Sequence, residues 1–212
     1  MSDYLVKNYS LNQLEFSKLK KHSDYLVCKI KYAGEPFFIQ FPKMKVSSIN
    51  QKELQLEFLN NSTKYNKESY NFLSELDSYI SEHIYEKSEE WFGKKIPLEN
   101  IKNMYNKFIK APKSTDNKST MNFIVKKDSV YMDTRKNEIE YSEIKESENI
   151  ECIAQMKYIM FSKDNCFTVW EVHSGKVHRT VDKVPAYGFL NVDSDSQEDS
   201  DEENISEIIN FF

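Results

Sequence analysis

The spacing of apolar side chains along the chain changes twice, from every second residue to a helical period and back. Residues 25–32 are dense in strand formers, and Ala33-Gly34-Glu35 supplies a turn. Residues 36–46 follow as an aromatic, basic strand in which Pro42 marks an edge or a bulge, because proline cannot donate to a ladder. Residues 53–59 alternate polar and apolar, as a half-buried strand does. From about Lys67 the period becomes helical. Phe72, Leu73, Leu76, Tyr79, Ile80, His83 and Ile84 share one face of an amphipathic helix that runs to roughly Glu90 and ends at Trp91-Phe92-Gly93. Pro97 opens a second predicted helix, with Leu98, Ile101, Met104, Tyr105 and Phe108 on one side, which stops before Pro112. A polar loop over 113–120 precedes a return to strands. Residues 122–125 and 130–132 flank Lys126–Ser129 as a hairpin, and 138–141 form a weak strand. The strongest hairpin is the last, 152–161 and 166–173 around the turn 162–165. Residues 1–23, where Leu11, Leu14, Phe16 and Leu19 lie among lysines, predict an arm with a short helix. Strands, two helices, then strands predict a mainly β, α+β fold: an antiparallel barrel with a helical insertion at about 67–110.

Charge changes this picture at the C-terminal end. Residues 191–212 hold eight acidic residues and no Lys or Arg, and finish with Ile205, Ile208, Ile209, Phe211 and Phe212. Repulsion at this density, with little to bury, predicts a disordered polyanion with a hydrophobic tip. The whole chain carries 29 basic and 34 acidic residues, net −5, so without this tail 29 basic residues face 26 acidic ones. Within the body, residues 94–127 contain nine lysines against Glu99 and Asp116. A mildly basic body with a polyanionic tail points to a polyanionic ligand. Three parts are expected: an arm (1–23), a binding domain (24–190) and the tail (191–212).

Composition removes several classes. Only 4 glycines occur among 212 residues, and neither GxGxxG nor GxxxxGK[ST] is present, which argues against a nucleotide-cradling loop. With no signal peptide and no apolar run near 18 residues, a soluble, non-secreted protein is expected. Cys28, Cys152 and Cys166 are too scattered for a disulfide framework and fit a reducing compartment.

Several segments together resemble a known family. They are Pro36-Phe-Phe-Ile-Gln-Phe-Pro42, residues 54–58, Trp91-Phe-Gly-Lys94, residues 105–110, residues 155–161 and Phe167-Thr-Val-Trp-Glu-Val172. In this order, with an acidic tail ending in Phe, they resemble the phage-like single-stranded-DNA-binding proteins of nucleocytoplasmic large DNA viruses. The resemblance implies an OB-fold body that coats single strands during viral replication, recombination or repair. It implies a tail that competes with DNA for the groove and contacts viral replication proteins, through Asp199, Asp201, Glu202, Glu203, Phe211 and Phe212. Ile208, Ile209 and Asn210 interrupt the acidic run before the terminal Phe pair, a departure from the family pattern. The implied setting is the viral replication site in the host cytoplasm, or the nucleus or virion. No catalysis, cofactor, metal or membrane contact is expected. A homodimer is compatible with an aromatic tail.

Single-strand binding needs cations that track phosphates and exposed rings on which bases stack. The candidates for phosphate contact are Lys43, Lys45, Lys94, Lys95, Lys110, Lys113, Lys126, Lys127 and Arg179. Those for stacking are Phe38, Phe41, Tyr131, Tyr158, Phe161 and Trp170. The competing account is that lysines solvate any surface and that most strand aromatics belong to the core. DNA and RNA are not distinguished, since stacking platforms accept both. Cys152, Cys166, His173 and His178 lack the close Cys pair of common zinc modules, and two buried small hydrophobes explain the cysteines as well. His83 on an apolar helical face reads as a packed core residue. Ser194, Ser196 and Ser200 sit among acidic residues, a context for phosphorylation that would strengthen the tail's charge. Two other classes stay open: a viral scaffold or virion protein that uses the tail as a docking peptide, and a nuclease, which would need a metal-binding carboxylate cluster.

Overall fold

The final two strands organise the barrel. In this computed structural model, which describes residues 4–22, 24–59, 63–112 and 118–179, β10 (Asn149–Phe161) and β11 (Cys166–His178) pair antiparallel from Asn149–His178 to Phe161–Cys166. The other edge of β10 is shared by three strands in succession. Its start pairs with β5 (Met44–Ile49), its middle with β4 (Glu35–Gln40) and its end with β3 (Tyr25–Tyr32). From β5 the order runs through β6 (Glu53–Phe58) and β8 (Thr120–Asp133) to β11, where the pairing is parallel. The ring β5–β6–β8–β11–β10 closes a five-stranded, OB-fold-like barrel.

Local sequence explains the joints. Ala33 and Gly34 both take positive φ (47° and 82°), the conformation that joins β3 to β4 in a two-residue turn. Pro42 breaks the expected single strand of 36–46 into β4 and β5, and Phe41 and Met44 on either side of the break both point into the core. Helix α1 (Lys64–Phe92) begins at Thr63, whose side chain accepts from Asn66 N–H, and ends at Gly93 with φ 70°. Its inward stripe of Leu73, Leu76, Ile80 and Ile84 joins the barrel interior.

Four expectations are corrected. The second helix, α2 (Leu98–Met104), does not reach Pro112. Tyr105–Asn106 instead forms β7, parallel to β11, and buried Asp77 on α1 accepts the N–H groups of Phe108 and Ile109 (3.1 and 3.4 Å), giving them a partner outside any helix. Residues 122–132 are not a hairpin but one long strand. Between Val125 and Val130, β8 gains extra residues relative to β11, and Ser129 Oγ ties this bulge by accepting from Lys126 N–H and donating to Val172 O. The strand expected over 138–141 shrinks to β9 (Glu138–Ile139), followed by a capped turn at Tyr141–Glu143. The stretch 1–23 is no separate arm over its described residues. Short strands β1 (Leu14–Phe16) and β2 (Lys20–His22) pair with β3, while Val6 and Leu14 are buried in the core. In place of its helix are two single 3-10 turns. The expected disorder of 191–212, its docking roles and its serines lie outside the described residues.

Candidate nucleic-acid interface

Alternation and one bulge decide what the barrel shows to solvent. Along β10, Cys152, Ala154 and Met156 are buried, and the register shift between Met156 and Tyr158 inserts Lys157. Past this point the faces exchange: Ile159 and Phe161 are buried and Tyr158 turns outward. Without the bulge, Tyr158 would share the inward face of Met156.

Neighbouring strands carry the outward face around the wall. Lys29 lies opposite Tyr158 across β3–β10, and Phe38 opposite Gln155 across β4–β10. Gln155 lies opposite Glu171 across β10–β11, and Glu171 opposite Ile124 across β11–β8. Cross-strand partners share a face, so these residues form one band over five strands. Its rings are Tyr25 (38% exposed), half-buried Phe38 and Tyr158, and half-buried Phe167 on β11. His173 packs edge-on against Phe38, with ring centroids 5.5 Å apart. Ile124, 39% exposed, adds an apolar position at the β8 end.

Cations interleave with these rings. Glu171 Oε2 lies 2.7 Å from Lys126 Nζ and 3.1 Å from Lys157 Nζ, so one carboxylate gathers two ammonium groups at the middle of the band. The hydrogen bond to Glu171 raises the pKa of Lys126, which keeps it charged. Burial against the sheet, with Glu171 and Tyr25 alongside, raises that of the Tyr158 phenol, which therefore stays neutral. A neutral ring beside fixed ammonium groups can stack a base while the cations meet phosphate.

The structure sorts the expected site residues. Phe38, Tyr158 and Lys126 meet on the band, with Lys127 exposed in the β8 bulge beside it. Phe41, Tyr131, Phe161 and Trp170 do not: they are 0%, 2%, 6% and 1% exposed and belong to the core, so none is a stacking platform. Phe41, Phe108, Phe123 and Trp170 interlock there, Phe108 and Trp170 stacked with centroids 4.9 Å apart. The basic run of 94–127 disperses rather than forming one patch. Lys94 and Lys95 line a groove of about 800 Å³ between the end of α1, α2 and the β10–β11 turn, with Lys21 and Lys163. Lys95 Nζ donates to Tyr85 O and stands 4.0 Å above its ring. Lys110 borders a second groove, between residues 106–111 and strands β8 and β11. Lys45 and Lys118 share Glu57, and exposed Lys43 adds to the positive field around His178. Arg179 is tied to Glu143 and Glu148. Lys113 and the tail residues Asp199, Asp201, Glu202, Glu203, Phe211 and Phe212 lie outside the described residues.

Tyr25, Lys29, Lys157, Phe167 and His173 are band residues that the sequence reading missed. Tyr25 and Lys29 could have been found from β3's alternation; Lys157 could not, because the bulge that exposes it leaves no signature in the residues. Cys152 and Cys166 are buried while His173 is exposed, and among the described residues no three His, Cys, Asp or Glu side chains gather as a metal site. No described helix is long and apolar enough to cross a membrane.

The model of a family described as "Family of unknown function (DUF5871)" matches residues 42–193. No curated protein matches the chain in sequence. Among solved structures, the chain is similar to gp2.5, a single-stranded-DNA-binding protein encoded by bacteriophage T7. The identity is 8%, with 73% of this chain and 98% of that one covered, at a TM-score of 0.47. It is also similar to the single-stranded-DNA-binding protein of bacteriophage Enc34 in complex with ssDNA. There the identity is 12%, with 81% and 98% covered, at a TM-score of 0.43.

Proposed function

We propose that this chain, which belongs to the DUF5871 family, is a non-enzymatic protein that binds single-stranded DNA across the outward band of its barrel. The observation that carries this reading is the interleaving of Tyr25, Phe38, Tyr158 and Phe167 with Lys29, Lys126 and Lys157 on hydrogen-bonded strands. Each stacked base contributes about 1–3 kcal/mol whatever its identity, so such a face binds with little regard to sequence. A duplex hides its base faces and offers only phosphates to the same lysines, so the single strand is preferred.

The acidic segment 191–212 completes the proposal. A polyanionic segment joined to a basic body competes with nucleic acid for its cations, and the Phe211–Phe212 pair is suited to docking replication proteins. The setting that fits these properties is coating of single strands during viral DNA replication, recombination or repair in the host cytoplasm.

Fluorescence anisotropy with labelled oligo-dT and an equal-length duplex tests the core of this. The full-length protein should favour oligo-dT and lose affinity as salt rises, with a slope of about −0.7 per phosphate contacted. Truncation after Asn191 should tighten binding at low salt. Equal affinity for the two nucleic acids, or none for either, would leave a scaffold role in which the aromatic band is a protein interface.

A further inference from the structure

Next to the band, one edge of β11 runs without a strand partner. β7 pairs with Cys166 and Phe167, and β8 takes up the pairing only at Glu171, so Thr168–Trp170 face a gap. The chain from Asn106 to Ala111 crosses this gap and rejoins the sheet where Lys110 and Thr120 exchange backbone hydrogen bonds (2.9 and 3.1 Å). Between these segments lies an open groove of about 670 Å³. Phe108 and Trp170 contribute to its apolar lining, half-buried Phe167 forms part of its wall, and the Asn122 amide lies along it. Lys107 and Lys110 stand exposed at its lip, Lys107 within electrostatic reach of Asp77; Glu53 also borders it.

The lip is held in place. Asp77, 3% exposed, accepts Tyr105 Oη–H at 2.6 Å, Phe108 N–H at 3.1 Å and Ile109 N–H at 3.4 Å. These bonds anchor the 105–109 segment to α1, so the groove is formed before any ligand arrives. Two residues link it to the band: Ile124 and Phe167 belong to both.

We propose that this groove receives a nucleobase from the strand lying on the band, stacked on Phe167, with Lys107 and Lys110 meeting the adjacent phosphates. This rests on the band being the nucleic-acid interface, and it adds a recessed site where the band alone offers a flat one. An aromatic wall, an amide that can meet a base edge, and two lysines at the lip match a nucleotide's base and phosphate together.

The test uses full-length protein and oligo-dT carrying 5-iodouracil. Phe167→Leu keeps an apolar side chain but removes the ring, and a paired Lys107→Ala/Lys110→Ala variant removes the lip cations; Phe38→Ala serves as the band control. Light-induced crosslinks should map to residues 106–111 or 166–170. Phe167→Leu should weaken binding about tenfold with an unchanged melting temperature, the loss expected for one stacked base. The lysine pair should weaken binding and flatten its salt dependence. If both groove variants bind as wild type while Phe38→Ala is impaired, the groove takes no base and Phe167 drops from the band, which then rests on Tyr25, Phe38 and Tyr158. Failure of the wild type to bind oligo-dT would overturn both.

Discussion

On the side of the molecule that α1 covers, aromatic rings meet one another. Phe16 stacks on His83 at 3.8 Å, and Trp91 and Phe92 both pack edge-on against Phe161 at 5.9 and 5.6 Å, closing the helix end. On the outward band, Phe38 touches Tyr4 and His173 and Tyr25 stacks on His22, but Tyr25, Phe38, Tyr158 and Phe167 all keep solvent exposure, on a face that also carries Lys29, Lys126 and Lys157. The two sides use the same residue types. Rings that another element covers contribute to stability, whereas rings left among cations remain available to a ligand.

The largest effect that could break this contrast belongs to the core. Trp170→Ala should cost about 3–5 kcal/mol of unfolding free energy in a denaturant titration, because a buried ring that touches Phe41 and Phe108 leaves a cavity. Next comes Gly175→Ala. A Cβ there would stand 2.6 Å from Tyr131 Cδ1 and 2.9 Å from Ile150 Cδ1, so overpacking should cost about 1–3 kcal/mol on the same measurement. For the band, Phe38→Ala and Tyr158→Ala should change stability little and weaken oligo-dT binding about tenfold each by anisotropy. A smaller effect of opposite sign is expected from Glu171→Gln. Freeing Lys126 and Lys157 from their carboxylate should tighten binding about two- to fivefold at low salt, and weaker binding would show that Glu171 positions the lysines productively.

The smallest effect sharpens the covered side. Burial holds the His83 imidazole below its ordinary pKa of 6.5, so the unfolded chain takes up its proton first as pH falls. Stability contributed by the neutral ring is therefore complete above about pH 6.5 and declines as pH drops toward the folded pKa. His83→Phe should flatten that part of the stability–pH curve, measured by thermal unfolding between pH 5 and 8.

How much of this was legible in the residues follows from the same contrast. Periodicity located α1 and the β10–β11 hairpin, because a long amphipathic stripe and alternating β-branched runs are local signals. It could not say which aromatics a helix would cover. Phe38 and Phe41 sit three residues apart, a spacing that puts them on opposite faces of a strand, and only one can be a platform. Tyr158 and Phe161 obey the same rule, yet which of them faces out depends on the bulge at Lys157. Clustering of lysines in sequence misled for a related reason. Residues 94–127 include α2, β7 and the first half of β8, so neighbours along the chain such as Lys95, Lys110 and Lys126 end at separate sites.

Lysine footprinting measures the central claim most directly. The full-length protein would be acetylated with and without saturating oligo-dT, and modification read at each lysine by mass spectrometry. Protection is expected at Lys29, Lys126 and Lys157, with Lys64 and Lys87 on α1 unchanged. Equal protection on α1, or none on the band while oligo-dT is bound, would place the nucleic acid elsewhere and contradict the account.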